Sequence, residues 1–186
     1  MDGEKIINGI TTYRIVAAPV LIVLALTHQL EWFKWLLPVS FFTDAIDGYL
    51  ARHFKKTSIL GAKLDSIGDD LTVLAATVGM FAFHLSFILQ HKVLIFGMFG
   101  LYIFQVVQSF ICYGKLSGFH TYLAKLAAVL QGVFLILSFF TIEPWLSLFY
   151  AATIFTIFDL AEEIILGFML SKWEANVKGI YWVMKR

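Results

Sequence analysis

The chain has 186 residues, 60% of them hydrophobic, 17% aromatic and 15% charged, with a formal net charge of +1 and a mean hydropathy of +0.82. Soluble domains run near 45–50% apolar and about 25% charged, so this composition excludes an ordinary soluble domain and points to a chain that lives in a bilayer. A spanning helix needs about 20 apolar residues; this length therefore has room for six spans and leaves none for a separate soluble catalytic domain. The near-neutral charge gives no sign of nucleic-acid binding. The single cysteine, Cys112, allows neither an intrachain disulfide nor a cysteine-based metal site.

In chain order, hydropathy predicts spans near residues 10–30, 33–51, 61–89, 93–113, 121–141 and 145–170, separated by short polar breaks. The first follows Lys5 and is interrupted by Arg14 with no small-x-small cleavage site behind it, so it reads as a retained helix rather than a removable signal. Residues 1–8 read as a short cytoplasmic segment, helical at the surface. The expected fold is an all-α integral membrane protein of six transmembrane helices, one domain over residues 1–186.

Six spans put both termini and two loops on one side. That side carries Lys5, Arg14, Arg52, Lys55, Lys56, Lys63, Lys115, Lys125, Lys172, Lys178, Lys185 and Arg186, and the other only Lys34 and Lys92. The asymmetry assigns the first side to the cytoplasm. Trp32, Trp35, Trp145, Trp173 and Trp182 fall near span ends, as in an interfacial aromatic belt. His28, His84 and His91 read as outer interfacial residues.

Acidic residues inside spans are costly, about 2.5–3.5 kcal/mol for a central aspartate. Asp44 and Asp47 in the second span are spaced i, i+3, and Asp65 and Asp69 in the third i, i+4, so each pair shares a helix face. The second span runs inward and the third returns, placing Asp44 and Asp69 at similar depths, about 12 Å from the cytoplasmic end at 1.5 Å per residue. Four convergent carboxylates suit hard divalent cations such as Mg²⁺, Mn²⁺ or Ca²⁺, and a paired-metal site suits phosphoryl transfer. Structural pairing of the acids with Arg14, Arg52 or Lys63 is the competing explanation. Gly48, Ala51 and Gly61 are small enough for close approach of a helix or a ligand. Arg52, four residues after Gly48, suits an anionic phosphate.

Residues 44–69 read D-A-I-D-G-Y-L-A-R, eight residues, G, A-K-L-D, S-I-G-D. This resembles the signature of the CDP-alcohol phosphotransferase family, D-x2-D-G-x2-A-R-x8-G-x3-D-x3-D, at Asp44, Asp47, Gly48, Ala51, Arg52, Gly61, Asp65 and Asp69. Asn8, Thr11, Arg14 and Pro19 are similar to an N-x2-T-x2-R-x4-P lead-in of bacterial members. The resemblance implies a membrane transferase of phospholipid biosynthesis. Such an enzyme moves a phosphatidyl group from a CDP-activated lipid such as CDP-diacylglycerol to a small alcohol and releases CMP. It implies two divalent cations, Mg²⁺ or Mn²⁺, on Asp44, Asp47, Asp65 and Asp69, with Asp69 also the base for the acceptor hydroxyl. It places Gly48, Ala51, Arg52 and Gly61 at the CDP pocket, Asn8, Thr11 and Arg14 near cytidine or its phosphates, and a homodimer in a bacterial inner membrane.

The acceptor lies outside the shared motif. Members acting on glycerol 3-phosphate commonly carry D-P-x-x-D-K where this chain has Asp65-Ser66-Ile67-Gly68-Asp69-Asp70; Ser66 fits the serine type, but residues 71–76 do not. Lys115, His120, Tyr122 and Lys125 in the fourth loop suit glycerol 3-phosphate or inositol phosphate, with snorkelling lysines as the alternative; serine or free inositol is the other acceptor class. Asp159, Glu162 and Glu163 are unexpected in the sixth span, and Glu162 is a candidate for polyol hydroxyls or for orienting Lys125 or Arg14. An intramembrane ion transporter would favour midplane sites on broken helices and an inverted repeat, which the sequence does not suggest. The intact aspartate set argues against a silent assembly partner.

Overall fold

The computed structural model describes residues 3–54, 59–114, 119, 121–172, 174 and 177–185, with the side chains of 13–43, 68 and 70–185 within that set. The described residues are helical without strands: α1 (Gly3–Leu26), α2 (Leu30–Phe54), α3 (Ile59–Phe83), α4 (Leu85–Gln90), α5 (Lys92–Tyr113), α6 (Tyr122–Ser138), α7 (Leu146–Met169) and α8 (Ile180–Met184). Five of the six expected spans each correspond to one helix, and the third is divided. α1 begins at Gly3, so the segment before Asn8 continues directly into the first long helix. α2 runs to Phe54, beyond the expected end at 51.

The expected span over 61–89 breaks at His84, between α3 and α4. The His84 N–H still bonds to the Met80 carbonyl at 2.9 Å, so α3 completes its ladder before the break. The His84 ring is buried, hydrogen-bonds to the Ser138 backbone and lies 5.8 Å from the Phe139 ring. Burial replaces the interfacial position expected for this histidine. α6 is shorter than its span because residues 138–140 tighten into i to i+3 turns, Phe139 N–H to Ile136 O at 3.3 Å and Phe140 N–H to Leu137 O at 3.1 Å.

Two compact units result, residues 1–86 with 135–143, and residues 87–134 with 144–186. In the first, α1 packs on α2 and α3, and α2 on α3. The buried face of α1 is Arg14, Ala18, Leu21 and Ala25; that of α3 is Gly68, Thr72, Ala75, Ala76 and Gly79. Both follow the three-to-four-residue helical period, and their small side chains let backbones approach closely. Phe33, Phe83 and Phe139 form an aromatic cluster beside Gly79, with Phe33 and Phe139 centroids 4.8 Å apart at 70°. Hydroxyls in this unit bond within their own helices: Ser40 Oγ to Leu36 O at 3.2 Å, Thr72 Oγ1 to Gly68 O at 2.8 Å and Thr77 Oγ1 to Val73 O at 2.9 Å.

In the second unit α5 packs on α7, and α7 meets α8. α5 has 22 residues and is the helix, among the described residues, long and apolar enough by itself to cross a bilayer. Its buried residues are polar, Gln105, Gln108 and Ser109, whereas Phe104, Val107, Phe110 and Ile111 are exposed. That inversion suits a helix with apolar surroundings and a polar partner. α5 ends at Gly114, which adopts φ 66° and donates its N–H to Phe110 O at 2.9 Å.

Candidate active site

α2 carries Asp44, Asp47, Gly48, Ala51 and Arg52 in its second half, and α3 carries Gly61, Asp65 and Asp69 in its first. Asn8 and Thr11 belong to the first half of α1. Their side chains lie outside the described residues. An all-carboxylate donor set on two packed helices fits hard divalent cations and not soft ones.

Arg14 is 1% exposed. The α1–α3 packing seats it against Gly68, where an added Cβ would lie 3.4 Å from the Arg14 Cζ and 3.6 Å from its Nε. Gly68 stands three residues after Asp65 and immediately before Asp69. The buried guanidinium therefore lies along the stretch of α3 that carries two motif aspartates. Sequence reasoning missed Gly68; its signal was a small residue four before Thr72 on the α3 packing face. Gly68→Ala is expected to leave stability near wild type, because 3.4–3.6 Å is ordinary contact, whereas Gly68→Leu displaces Arg14 and lowers the thermal unfolding midpoint in detergent by about 2 °C. Equal unfolding midpoints for the two variants would refute the close seating of Arg14 on Gly68.

The acceptor-side candidates belong to the second unit. Lys115 and His120 lie outside the described residues. Tyr122 opens α6, exposed, with its ring 5.7 Å from that of Trp182. Lys125 places its Nζ 5.7 Å from the Tyr122 ring centroid, so the structure brings these two together.

Two of the three α7 acids, Glu162 and Glu163, are tied to backbone, whereas the buried Asp159 Oδ1 has no hydrogen-bond partner among the described residues. Glu163 is 9% exposed; its Oε2 accepts from Gln105 Nε2 at 2.8 Å and its Oε1 from the Phe119 N–H at 3.1 Å. Glu162 Oε1 accepts from the Ile180 N–H at 3.1 Å, while its Oε2 has no hydrogen-bond partner among the described residues. Alongside, Gln108 Nε2 donates to Ile164 O at 2.9 Å, and Tyr113 Oη to Gly167 O at 3.1 Å and Leu170 O at 2.8 Å. The signal for the Glu163–Gln105 pair was two glutamines in one largely apolar helix and three acids in another, each needing a partner.

Residues 5–164 match the family model described as CDP-alcohol phosphatidyltransferase. Among curated relatives, the CDP-diacylglycerol--glycerol-3-phosphate 3-phosphatidyltransferase of Cereibacter sphaeroides is 40% identical over 75 residues, 38% of this chain and 34% of that protein. The protein of the same description from Haemophilus influenzae is 37% identical over 73 residues, 37% of this chain and 39% of its own length. The chain thus matches between a third and two fifths of the length of these relatives. No solved structure matches it. The family match runs through the signature on α2 and α3 and on into α7, and by it the chain belongs to the CDP-alcohol phosphatidyltransferase family.

Proposed function

We propose that the protein transfers the phosphatidyl group of CDP-diacylglycerol to glycerol 3-phosphate, releasing CMP. The packing of α1 on α3 carries this reading, because it sets the buried Arg14 of the lead-in beside the Asp65–Asp69 stretch of the signature. The names of both relatives support glycerol 3-phosphate over inositol phosphate, serine or inositol.

In this reading Asp44, Asp47, Asp65 and Asp69 hold two Mg²⁺ or Mn²⁺ ions, which, when bound, neutralise charge that grows on the phosphate oxygens. Asp69 takes the proton of the acceptor hydroxyl, whose oxygen bonds to the lipid-side phosphorus as the bond from that phosphorus to the bridging oxygen breaks and CMP leaves. Arg14, Arg52, Asn8 and Thr11 hold the cytidine diphosphate, with Gly48, Ala51 and Gly61 giving room beside the backbone. Lys115, His120, Tyr122, Lys125 and Glu162 form the acceptor side, where cations meet the glycerol phosphate group.

The chain acts as one six-span domain over residues 1–186, a homodimer in a bacterial inner membrane with both termini and the site facing the cytoplasm. Two observations support a bilayer: the membrane-length α5 with its exposed apolar face, and exposed Trp32, Trp35 and Trp145 near helix ends. The test is CMP release by purified protein given CDP-diacylglycerol and Mg²⁺ or Mn²⁺, with each acceptor supplied separately. Release that depends on glycerol 3-phosphate is expected. Release with serine or inositol alone would replace the acceptor, and no release with any of them would overturn the reading.

A further inference from the structure

Two carboxylates at adjacent positions of α7 each hold a different piece of backbone. Glu163 holds the Phe119 N–H, and Glu162 the Ile180 N–H. The two pieces also hold each other, with the Val177 N–H to Phe119 O at 3.0 Å and the Tyr122 N–H to Lys178 O at 3.5 Å. Phe119, Leu166 and Val177 are buried as one cluster, with Tyr113, Leu170, Ile180 and Val183 packed on it. Thr121, fully buried, turns the chain into α6 by accepting the Ala124 N–H on its Oγ1 at 3.0 Å. Tyr122 and Lys125 follow, so their place in space depends on where Phe119 and Thr121 are held.

We propose that Glu163 is a positioning residue for the acceptor side. Its carboxylate joins α5, through Gln105, to the start of α6, through Phe119, and with Glu162 it clasps residues 177–180 against that start. The inference rests on the reading of Tyr122 and Lys125 as acceptor contacts. A carboxylate suits the task because both of its oxygens accept, one from each element. Gly179 completes the clasp: it adopts φ 145°, and an added Cβ would come 2.9 Å from Glu162 Oε1.

The test compares full-length wild type with Glu163→Ala and Glu163→Gln. In Glu163→Ala, the KM for glycerol 3-phosphate is expected to rise about tenfold or more while the KM for CDP-diacylglycerol stays within about twofold. Glu163→Gln recovers most of that loss, since its amide oxygen accepts from Phe119 once the Gln105 amide turns over. Tryptic cleavage after Lys178 is expected to be about tenfold faster in Glu163→Ala than in wild type. A merely structural role would lower the yield of folded protein or kcat and leave the ratio of the two KM values unchanged; that result overturns the proposal. If Glu163→Ala does not fold, Gly179→Ala carries the same two expectations, and an unchanged KM ratio with unchanged cleavage overturns it equally. If wild type releases CMP with no acceptor, the proposed reaction fails by itself, and cleavage alone decides whether the clasp exists.

Discussion

On the proposed reading, Asp69→Asn is expected to lower acceptor-dependent CMP release about 10³-fold, the scale of losing a positioned base and a metal ligand, the two roles proposed for this residue. Asparagine keeps the size and one oxygen of the side chain but cannot take a proton and brings no negative charge to a cation. In the roles proposed for them, Asp44→Asn, Asp47→Asn and Asp65→Asn remove a ligand charge alone, and raised Mg²⁺ or Mn²⁺ is expected to restore part of their activity and little of that of Asp69→Asn. Chelation should abolish wild-type activity, and added Mg²⁺ or Mn²⁺ should return it. The measurement is initial CMP release against metal concentration for all five proteins, with CDP-diacylglycerol binding recorded in parallel. More than a tenth of wild-type activity in Asp69→Asn at saturating metal would remove this residue from the chemistry.

The largest stability effect is expected at Gly79. A Cβ there would press on the Phe33 ring, 2.8 Å from its Cε1, and stand 3.1 Å from Phe139 Cζ. Two effects oppose each other in Gly79→Ala. Alanine gains up to about 1 kcal/mol of helix propensity over glycine, whereas overpacking of a filled site costs about 1–3 kcal/mol. Overpacking wins here, because Phe33 is 0% exposed and its ring is hemmed in by Phe83 and Phe139, 5.5 and 4.8 Å away between centroids. Thermal unfolding in detergent should therefore shift down for Gly79→Ala, and the added Phe33→Leu should recover part of the shift, a non-additive pair. Gly100→Ala is the control: nothing lies within 4 Å of its added Cβ, so propensity acts alone and the protein should be unchanged or slightly more stable. Equal shifts at Gly79 and Gly100 would show that the ring cluster is looser than its geometry implies.

Hydropathy was enough to place α1, α2, α5, α6 and α7, because runs of about 20 apolar residues between polar breaks leave a helix few alternatives. Charged ends hid the true limits: Glu4, Lys5 and Arg52 lower local hydropathy without interrupting backbone hydrogen bonding, so α1 starts earlier and α2 ends later than the apolar runs suggest. The His84 break was not legible, since neither proline nor glycine marks it and the residues that hold His84 there, Ser138 and Phe139, are distant in sequence. The motif aspartates were legible through their three- and four-residue spacing, and the family match covers them. Glu162 and Glu163 were visible as misplaced acids, but besides Gln105 their partners are backbone N–H groups at 180 and 119, which no residue type advertises.

The hydroxyls of Ser40, Thr72 and Thr77 are each committed to a carbonyl one turn back on the same helix. A side chain bonded to its own helix cannot tell one neighbouring helix from another, so in the first unit these positions transmit no polar preference across the α1–α2–α3 contacts. Apart from the buried Arg14 against Gly68, what remains to discriminate partners among the described residues is relief: the alanines of α1 and α3, the notch at Gly79 and the ring that fills it. A saturation scan of these faces should therefore sort by side-chain volume rather than by polarity, with serine tolerated where leucine is not. The clasp around Glu163 is expected to sort by polarity instead, because its partners are hydrogen-bonding groups, and the contrast would show up as a change of axis in the substitution profile between the two regions.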